Sequence, residues 1–245
     1  MKNQYFGDLR DFIKYDLLLE LVDSTPGLCR LTNIPMLTPN DGTGEGNVTA
    51  FEQGNRRPDL YHFLRYCLAR GDRNIRNLRS LFQGRHYSYC GHRDDLHYQH
   101  DRRDEYFTSV VPHALSNALV FIDPDTGIET ADRSNMRKYG LDRYLFWDNI
   151  VQTFSGMNDC SVLIIYQHLQ RNAYRVVQDM QDKSLTLCDR LGVPSVASVD
   201  DGDVAFLVTS RSPDSMAHVA QFLPQYAHLH NLRYQLFDNQ LDDQE

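Results

Sequence analysis

LVFIDPDTGIE, residues 119–129, runs from a strongly apolar stretch directly into two aspartates, a proline, a glycine and a glutamate. Its first half belongs to an apolar run from Ala118 to Ile122, and a second such run extends from Val162 to Tyr166. Strands that are apolar throughout are typical of a parallel sheet covered on both faces. The two runs therefore predict neighbouring buried strands of one α/β sheet.

Helical patterns alternate with strand patterns over the second half of the chain. After the first apolar run, the sequence predicts a helix around Leu141 to Phe154, the strand Val162 to Tyr166, a helix from Ala173 to Leu191, a strand from Val204 to Val208, a helix from about Asp214 to Phe222, and a last strand at RYQLF. This alternation predicts an α/β fold with a doubly wound, mostly parallel, Rossmann-like sheet. The last strand would add an antiparallel edge.

Composition predicts one soluble globular domain. The chain has 245 residues, of which 41% are apolar and 24% charged, enough for a core of its own. We expect a single domain over residues 1–245, with residues 52–112 as an inserted helical and loop segment. No window reaches the roughly 18 apolar residues that span a bilayer, and no signal peptide is evident, so we expect a cytoplasmic protein without membrane contact. The five cysteines lack CxxC spacing, which argues against a disulfide framework or a cysteine-based zinc site.

The stretch GDLRDFIKYDLLLELV predicts an N-terminal helix that Asp8 can cap. Lys14 falls on its apolar face, among Leu17, Leu18 and Leu21. A lysine on a buried face needs a partner or a ligand. Alternatively, only its aliphatic stem is buried and the ammonium group reaches water. The sequence leaves both interpretations open.

Polar side chains follow both apolar strands. The carboxyl ends of the strands in an open α/β sheet form the usual ligand crevice. An aspartate at a strand end also commonly caps a turn, but polar groups at two adjacent strand ends favour a binding or catalytic site. The candidates are Asp123, Asp125 and Glu129 after the first strand, and Tyr166, His168 and Arg171 at and after the end of the second.

A glycine-rich turn, Asp41, Gly42, Gly44 and Gly46, follows a shorter apolar run at residues 34–37. Glycines after a strand allow the backbone to approach a nucleotide closely. Two prolines interrupt the run, however, and a surface loop explains the same residues equally well. The turn is a candidate cofactor site.

The net charge of −8 argues against binding of nucleic acid by bulk electrostatics. The charge is uneven, because residues 65–103 contain nine arginines and four aspartates. Arginine suits phosphate and base recognition, so we expect RNA or DNA to bind this segment through residues such as Arg76 and Arg79. The alternative is a solvated helical surface followed by a polar loop.

Four stretches, GDLRDFIKYDLLLELV, FIDPDTGIE, KYG at 138–140 and IIYQHLQR, together resemble an uncharacterised bacterial and phage family. More distantly, they resemble the adenine-N6 methyltransferases that modify large-subunit ribosomal RNA. The resemblance implies a class I methyltransferase-like fold with S-adenosylmethionine as cofactor. The matching positions are Asp11 and Lys14 on the first helix, Gly42 and Gly44 in the turn, Asp123 and Pro124 after a strand, and Tyr166. Asp125 and Thr126 depart from the pattern, since those enzymes have Pro-Tyr there.

Three functions remain open. In a methyltransferase acting on nucleic acid, the turn from Gly42 to Gly46 would hold S-adenosylmethionine, Asp123 would orient the nucleophile, and Lys14 and Tyr166 would line the acceptor pocket. In a phosphoesterase or nuclease, Mg²⁺ or Mn²⁺ would neutralise clustered carboxylates, His168 would act as acid or base, and Arg171 would bind phosphate. The metal ligands would be Asp123, Asp125 and either Glu129 or Asp41. The third possibility is a methyltransferase-like scaffold that only binds.

Overall fold

The computed structural model describes residues 1–44, 46–169 and 173–238, the last range with its side chains from residue 177 onward. Within these ranges the chain forms a seven-stranded central sheet and a separate two-stranded sheet. The strands are β1 (Arg30–Pro35), β2 (Ser88–Gly91), β3 (Ala118–Asp123), β4 (Gly127–Ile128), β5 (Tyr144–Leu145), β6 (Val162–His168), β7 (Ser195–Asp200), β8 (Val204–Ser210) and β9 (Arg233–Asp238).

The central sheet has the order β2-β1-β3-β6-β8-β7-β9. Its first four strands pair in parallel, whereas β8 and β9 run antiparallel to their neighbours. The predicted α/β fold and the antiparallel last strand are confirmed. The sheet as a whole is mixed, because β8 turns back between β6 and β7.

Helices cover both faces of the sheet. They are α1 (Leu9–Ser24), α2 (Pro58–Ala69), α3 (Leu78–Leu81), α4 (Arg103–Thr108), α5 (Arg133–Tyr139), α6 (Trp147–Ser155), α7 (Ala173–Leu191) and α8 (Pro213–His230). Successive residues of β3 enter different hydrophobic clusters: Phe121 packs with α1, α2 and α8, and Ile122 packs with α4, α6 and α7. This alternation explains why the strand is apolar throughout. No helix in the described ranges is long and apolar enough to cross a membrane.

The segment 52–112 is not confirmed as an inserted unit. It contains α2, α3 and α4, as the helical pattern predicts, but it also contains β2, which pairs in parallel with β1 in the central sheet. The segment therefore includes a β1-α2-β2 crossover that belongs to the sheet.

Three elements differ from the sequence-based expectation. The helix expected around Leu141 begins only at Trp147, because the preceding residues form β5 and pair with β4. The helix expected to end at Phe222 continues through Pro224, since buried residues beyond the proline, such as Tyr226, keep it packed. Strand β7 has the sequence SVASVD, whose small and polar residues conceal its buried position between β8 and β9.

Gln167 joins the small sheet to the central sheet. Its side-chain Oε1 accepts a hydrogen bond of 2.8 Å from the backbone N–H of Ile128. Gly127 adopts a φ of +135°, and a Cβ added there would lie 2.5 Å from Gln167 Oε1. The glycine thus permits both the backbone conformation and the close approach of the amide. These contacts fix the turn that carries Asp123 and Asp125.

Replacement of Gly127 by alanine tests this contact. We expect Gly127→Ala to combine backbone strain of about 1–3 kcal/mol with steric overlap that costs roughly 1–3 kcal/mol more. Gly140→Ala is the matched control, because Gly140 also has a positive φ, +98°, but no atom within 4 Å of the added Cβ. Urea unfolding of both variants measures the difference, and equal losses would contradict the proposed role of Gln167.

Candidate active site

The carboxyl ends of β3 and β6 lie side by side, next to the point between β1 and β3 where the strand order reverses. Strands β1 and β3 are neighbours, yet the chain continues from β1 to β2 on one side and from β3 to β6 on the other. Such a switch point is the usual ligand site of an open α/β sheet. Ile122 pairs with Ile165, so Asp123 and Tyr166 are the next residues of adjacent parallel strands. The predicted meeting of the two polar strand ends is confirmed.

Lys14 of α1 is buried between two carboxylates. Its Nζ lies 2.8 Å from Asp11 Oδ1 and 2.9 Å from Asp123 Oδ2. The rings of Tyr166 and Tyr15 flank the ammonium group, with centroids 4.8 and 5.6 Å away. Asp11 and Lys14 share one helical face because they are three residues apart. Of the two interpretations of Lys14, the buried and paired one is confirmed.

The buried cluster shifts the pKa values of several of its members. Burial alone would lower the pKa of Lys14, but the charges of Asp11 and Asp123 raise it far above its usual value, so the amine stays protonated. Burial also raises the pKa of Asp11, and the nearby Asp8 adds to this effect, although Lys14 opposes it. Burial raises the pKa of Tyr166, which keeps its phenol neutral. Lys14 is therefore a fixed cation and unsuited to act as a neutral nucleophile.

A cavity of about 30 Å³ adjoins this cluster. Its lining includes Asp123, Tyr166 and His168. Within the described part of the chain, Asp123 Oδ1 and the Tyr166 hydroxyl make no hydrogen bond, so both are available to a ligand. Burial, with a smaller contribution from Arg10, lowers the pKa of His168 to about 4, and its imidazole is neutral at pH 7. The groups that line the cavity thus include an acceptor oxygen of Asp123, a phenol and a neutral imidazole.

Asp125 belongs to a second ionic cluster. Its Oδ2 lies 2.8 Å from both Lys2 Nζ and Arg143 Nε, and its Oδ1 lies 3.3 Å from the α-amino nitrogen of Met1. Asp41 shares two of these cations, 3.3 Å from Lys2 and 3.6 Å from Arg143. Burial alone would raise the pKa of Asp125, but the three cations together lower it below its usual range. The carboxylate is neutralised from within the chain.

The proposed metal ligands are not assembled into one site. Glu129 lies beyond β4, where its Oε1 accepts a hydrogen bond of 2.9 Å from the backbone N–H of Trp147 at the start of α6. No group of three or more His, Cys, Asp or Glu side chains in the described ranges could hold a metal ion. Asp123 and Asp125 are each neutralised by ammonium or guanidinium groups, which fulfil the electrostatic role that the sequence assigned to a cation.

The glycine-rich turn contacts the N-terminal segment. Gly42 and Gly44 are exposed, and the side chain of Gln4 holds the turn through a hydrogen bond of 2.9 Å to Asp41 Oδ1. A Cβ on Gly46 would lie 2.5 Å from the Tyr5 ring. Of the three glycines, Gly46 alone lines the cavity.

The predicted nucleic-acid residues lie apart from this cavity. Arg79 binds both carboxylate oxygens of the buried Asp94, at 3.1 and 2.6 Å. Arg76 is exposed and Arg171 lies outside the described residues. Eight of the nine arginines between residues 65 and 103 donate side-chain hydrogen bonds within the chain. The segment is therefore largely committed to internal contacts.

Several site residues escape prediction from the sequence. Lys2, Arg10 and Arg143 contribute charges from distant parts of the chain without a local pattern that marks them. Asp8 is recognisable as a helix cap, and it also lines the cavity. Asp94 follows β2, the position at which an acidic residue binds ribose in doubly wound nucleotide-binding folds, but the strand itself is too short to predict.

No family model, curated protein or solved structure matches the chain. Its function therefore has to be inferred from the side chains at the strand ends.

Removal of the buried cation should be strongly destabilising. Lys14→Met leaves Asp11 and Asp123 buried without their shared cation, which we expect to cost about 3–5 kcal/mol in the free energy of unfolding. Lys183→Met is the matched control, because Lys183 is also largely buried and lies 2.7 Å from Asp179, a partner that is 18% exposed. That variant should lose about 1 kcal/mol or less. Chemical denaturation measures the free energy of unfolding of both variants. A similar loss in the two would show that the Lys14 cluster stabilises the fold no more than an ordinary ion pair does.

Asp125 should make the protein sensitive to acid. A carboxyl whose pKa is lowered in the fold contributes stability above its unfolded value of 3.8, and that stability is lost as the pH falls through the folded pKa. Between about pH 5 and pH 3, the free energy of unfolding of Asp125→Asn should therefore fall less steeply than that of the wild type. Arg143→Gln should reduce the slope in part. Parallel slopes for wild type and Asp125→Asn would contradict the assigned cluster.

Proposed function

We propose that the chain is an S-adenosylmethionine-dependent, methyltransferase-like enzyme that acts on nucleic acid. The observation that carries this proposal is the convergence of Lys14, Asp123 and Tyr166, from three separate elements, at the switch-point edge of the sheet. Methyl transfer depends mainly on positioning a nucleophile against a reactive cofactor. One anchored acceptor can therefore suffice.

The chain's own residues have distinct roles in this proposal. Asp123 accepts a hydrogen bond from the substrate amino or hydroxyl group at Oδ1, while its Oδ2 stays on Lys14. Lys14 fixes the orientation of that carboxylate. Tyr166 lines the same cavity, and His168 lies beside it with ring centroids 5.2 Å apart. These side chains bind and orient the substrate.

The charged side chains around the cavity match S-adenosylmethionine in charge. The cofactor carries ammonium and sulfonium groups, which suit Asp8, Asp11 and Asp125, and a carboxylate, which suits a cation. The cavity does not match it in size, because about 30 Å³ is roughly a tenth of the smallest typical ligand pocket. Met1 and Lys2 occupy the crevice beside Asp125. Cofactor binding therefore requires the first residues of the chain to move aside.

Two tyrosines, Tyr98 and Tyr106, hold the chain at and beyond the end of β1, next to the crevice. Tyr106 donates a hydrogen bond of 2.6 Å to the carbonyl of Pro35, and the backbone N–H of Tyr98 donates one of 2.7 Å to Leu37. Asp94, which follows β2, is occupied by Arg79. An adenosine group that reaches Asp94 has to displace that guanidinium group.

A ligand screen by thermal shift tests the proposal. S-adenosylhomocysteine, at about 100 times its dissociation constant, should stabilise the wild type by about 2.7 kcal/mol. In a chain of this length that raises the Tm by roughly 5–10 °C. Asp8→Asn keeps a residue that can cap α1 but removes a negative charge assigned to the cofactor, so it should reduce the shift relative to its own Tm. Lys2→Ala removes a contact that holds the crevice closed, so it should increase the apparent affinity.

The same screen separates the competing functions. MnCl₂ or MgCl₂ should leave the Tm unchanged. A shift with Mn²⁺ alone that disappears in Asp125→Asn would replace the proposal with a metal-dependent phosphoesterase or nuclease. A chain that responds to neither ligand is not a methyltransferase, and the binding-only scaffold would then be the remaining function.

A further inference from the structure

A second pocket, of about 190 Å³, lies beyond the ends of the small sheet, because Glu129 and Phe146 of its lining directly follow β4 and β5. We call it the arginine pocket and define it by His100, Arg103, Arg133, Arg137 and Phe146, which contribute to its lining. It is formed where α4, α5 and the start of α6 come together. The sequence analysis assigned it no role.

Two of the arginines have uncompensated charges. Arg133 and Arg137 lie one turn apart on α5, are exposed, and form no hydrogen bond or ion pair with any side chain in the described ranges. Like charges at this spacing repel each other. Arg103 lies across the pocket with its guanidinium carbon 4.7 Å from the centroid of the Phe146 ring, and its ion pair is with the largely exposed Asp104 at 3.3 Å. An anion between the three guanidinium groups would relieve this repulsion.

The pocket lining also contains two carboxylates, Glu129 and Asp148. Neither forms an ion pair with the arginines of the pocket in the described part of the chain. Glu129 is engaged at the start of α6, where its Oε1 accepts the hydrogen bond from the Trp147 N–H. Asp148 is 87% exposed, and its ion pair, at 3.9 Å, is with Arg190, which is not part of the pocket lining. The positive charge of the pocket therefore remains available to a ligand.

His100 supplies a second, independent observation. Its ring packs on Phe146 with centroids 4.9 Å apart, and its Nδ1 is buried without a hydrogen-bond partner in the described part of the chain. A buried polar atom without a partner costs free energy. A ligand in the pocket, or a water molecule that it orders, would satisfy this nitrogen.

We propose that the arginine pocket binds a backbone phosphate of the nucleic-acid substrate. The planar guanidinium group donates two parallel hydrogen bonds to a phosphate, which makes arginine the preferred residue for this contact. A chain with a net charge of −8 can hold a polyanion only at a local positive site. The choice of a nucleic acid rather than a free phosphate rests on the proposed function.

The distance to the cavity fits such a substrate. Glu129 of the pocket lining follows Asp123 by six residues, which span at most about 20 Å of extended chain. At about 3.4 Å per stacked nucleotide, this corresponds to roughly six nucleotides. A strand anchored at the arginine pocket can therefore present a base to Asp123. The arginine-rich segment 65–103 contributes Arg103 to this surface, whereas Arg79 remains bound to Asp94.

Binding of a fluorescein-labelled single-stranded RNA of about 12 nucleotides, followed by anisotropy between about 50 and 200 mM KCl, tests the inference. The variant Arg133→Gln/Arg137→Gln should bind five- to tenfold more weakly at the low salt concentration. Its log–log salt slope should be smaller by about 1.4, or 0.7 for each lost contact. Arg70→Gln/Arg76→Gln removes the same charge from two other exposed arginines and should bind like the wild type. Circular dichroism melts establish that both variants are folded.

Each other result has a fixed meaning. Equal affinity of wild type and Arg133→Gln/Arg137→Gln, or weaker binding in the control alone, would overturn the inference. If inorganic phosphate binds with the same dependence on Arg133 and Arg137 while RNA does not, the pocket serves a small phosphorylated ligand and the nucleic-acid assignment is wrong. The change in Tm with S-adenosylhomocysteine tests the proposed function separately. RNA binding that depends on the pocket, without that shift, would retain this surface and reject methyl transfer.

Discussion

The ammonium group of Lys14 is the constraint on which the rest of the site depends. Transfer of a charge from water to a protein interior costs several kcal/mol, and it is tolerated only where opposite charges and hydrogen bonds are well placed. Asp11 and Asp123 satisfy this requirement from two different elements, at 2.8 and 2.9 Å. These contacts tie helix α1 to the end of β3, with the rings of Tyr15 and Tyr166 beside the ammonium group.

Two ionic clusters lie next to each other at the same edge of the sheet and have different consequences. In the Lys14 cluster the cation is held by two acids, so one oxygen of Asp123 is left for a ligand. In the Asp125 cluster the acid is held by three cations, and the contacts tie the start of the chain and Arg143 over the crevice. The two carboxylates of the Asp-Pro-Asp turn thus have different roles: Asp123 keeps one oxygen for a ligand, whereas Asp125 is held by cations of the chain. Gln167, which is fixed against Gly127, keeps the turn between them in place.

The sequence predicts what local patterns encode. Continuous apolar runs identify β3 and β6 as buried neighbours. The position of Lys14 on an apolar helical face leaves a buried ion pair and a solvated ammonium group both open, and the structure decides for the ion pair. The partners of Asp125 are not encoded locally, since Lys2 lies 123 residues away in the chain. Composition also does not show which charged side chains are already paired. The arginines of residues 65–103 stand out in the sequence, but only the structure shows that Arg79 is bound to Asp94. Glu129 follows Asp123 by only six residues in the sequence, but the intervening strand β4 places it at the start of α6.

The charges around the two pockets distinguish the ligands that they can accept. A molecule that displaces Lys2 and Met1 from the crevice removes two of the three cations that hold the buried Asp125 and leaves it with Arg143. A molecule that brings positive charge compensates this loss, and S-adenosylmethionine has such charge whereas a phosphate lacks it. The arginine pocket imposes the opposite condition, because Arg133 and Arg137 gain stability only from an anion. On the proposed function, β4 thus leads from Asp125, at a site for a cationic cofactor, to Glu129, in the lining of a site for a polyanionic substrate, and the opposite charges keep either ligand from competing for the other's place.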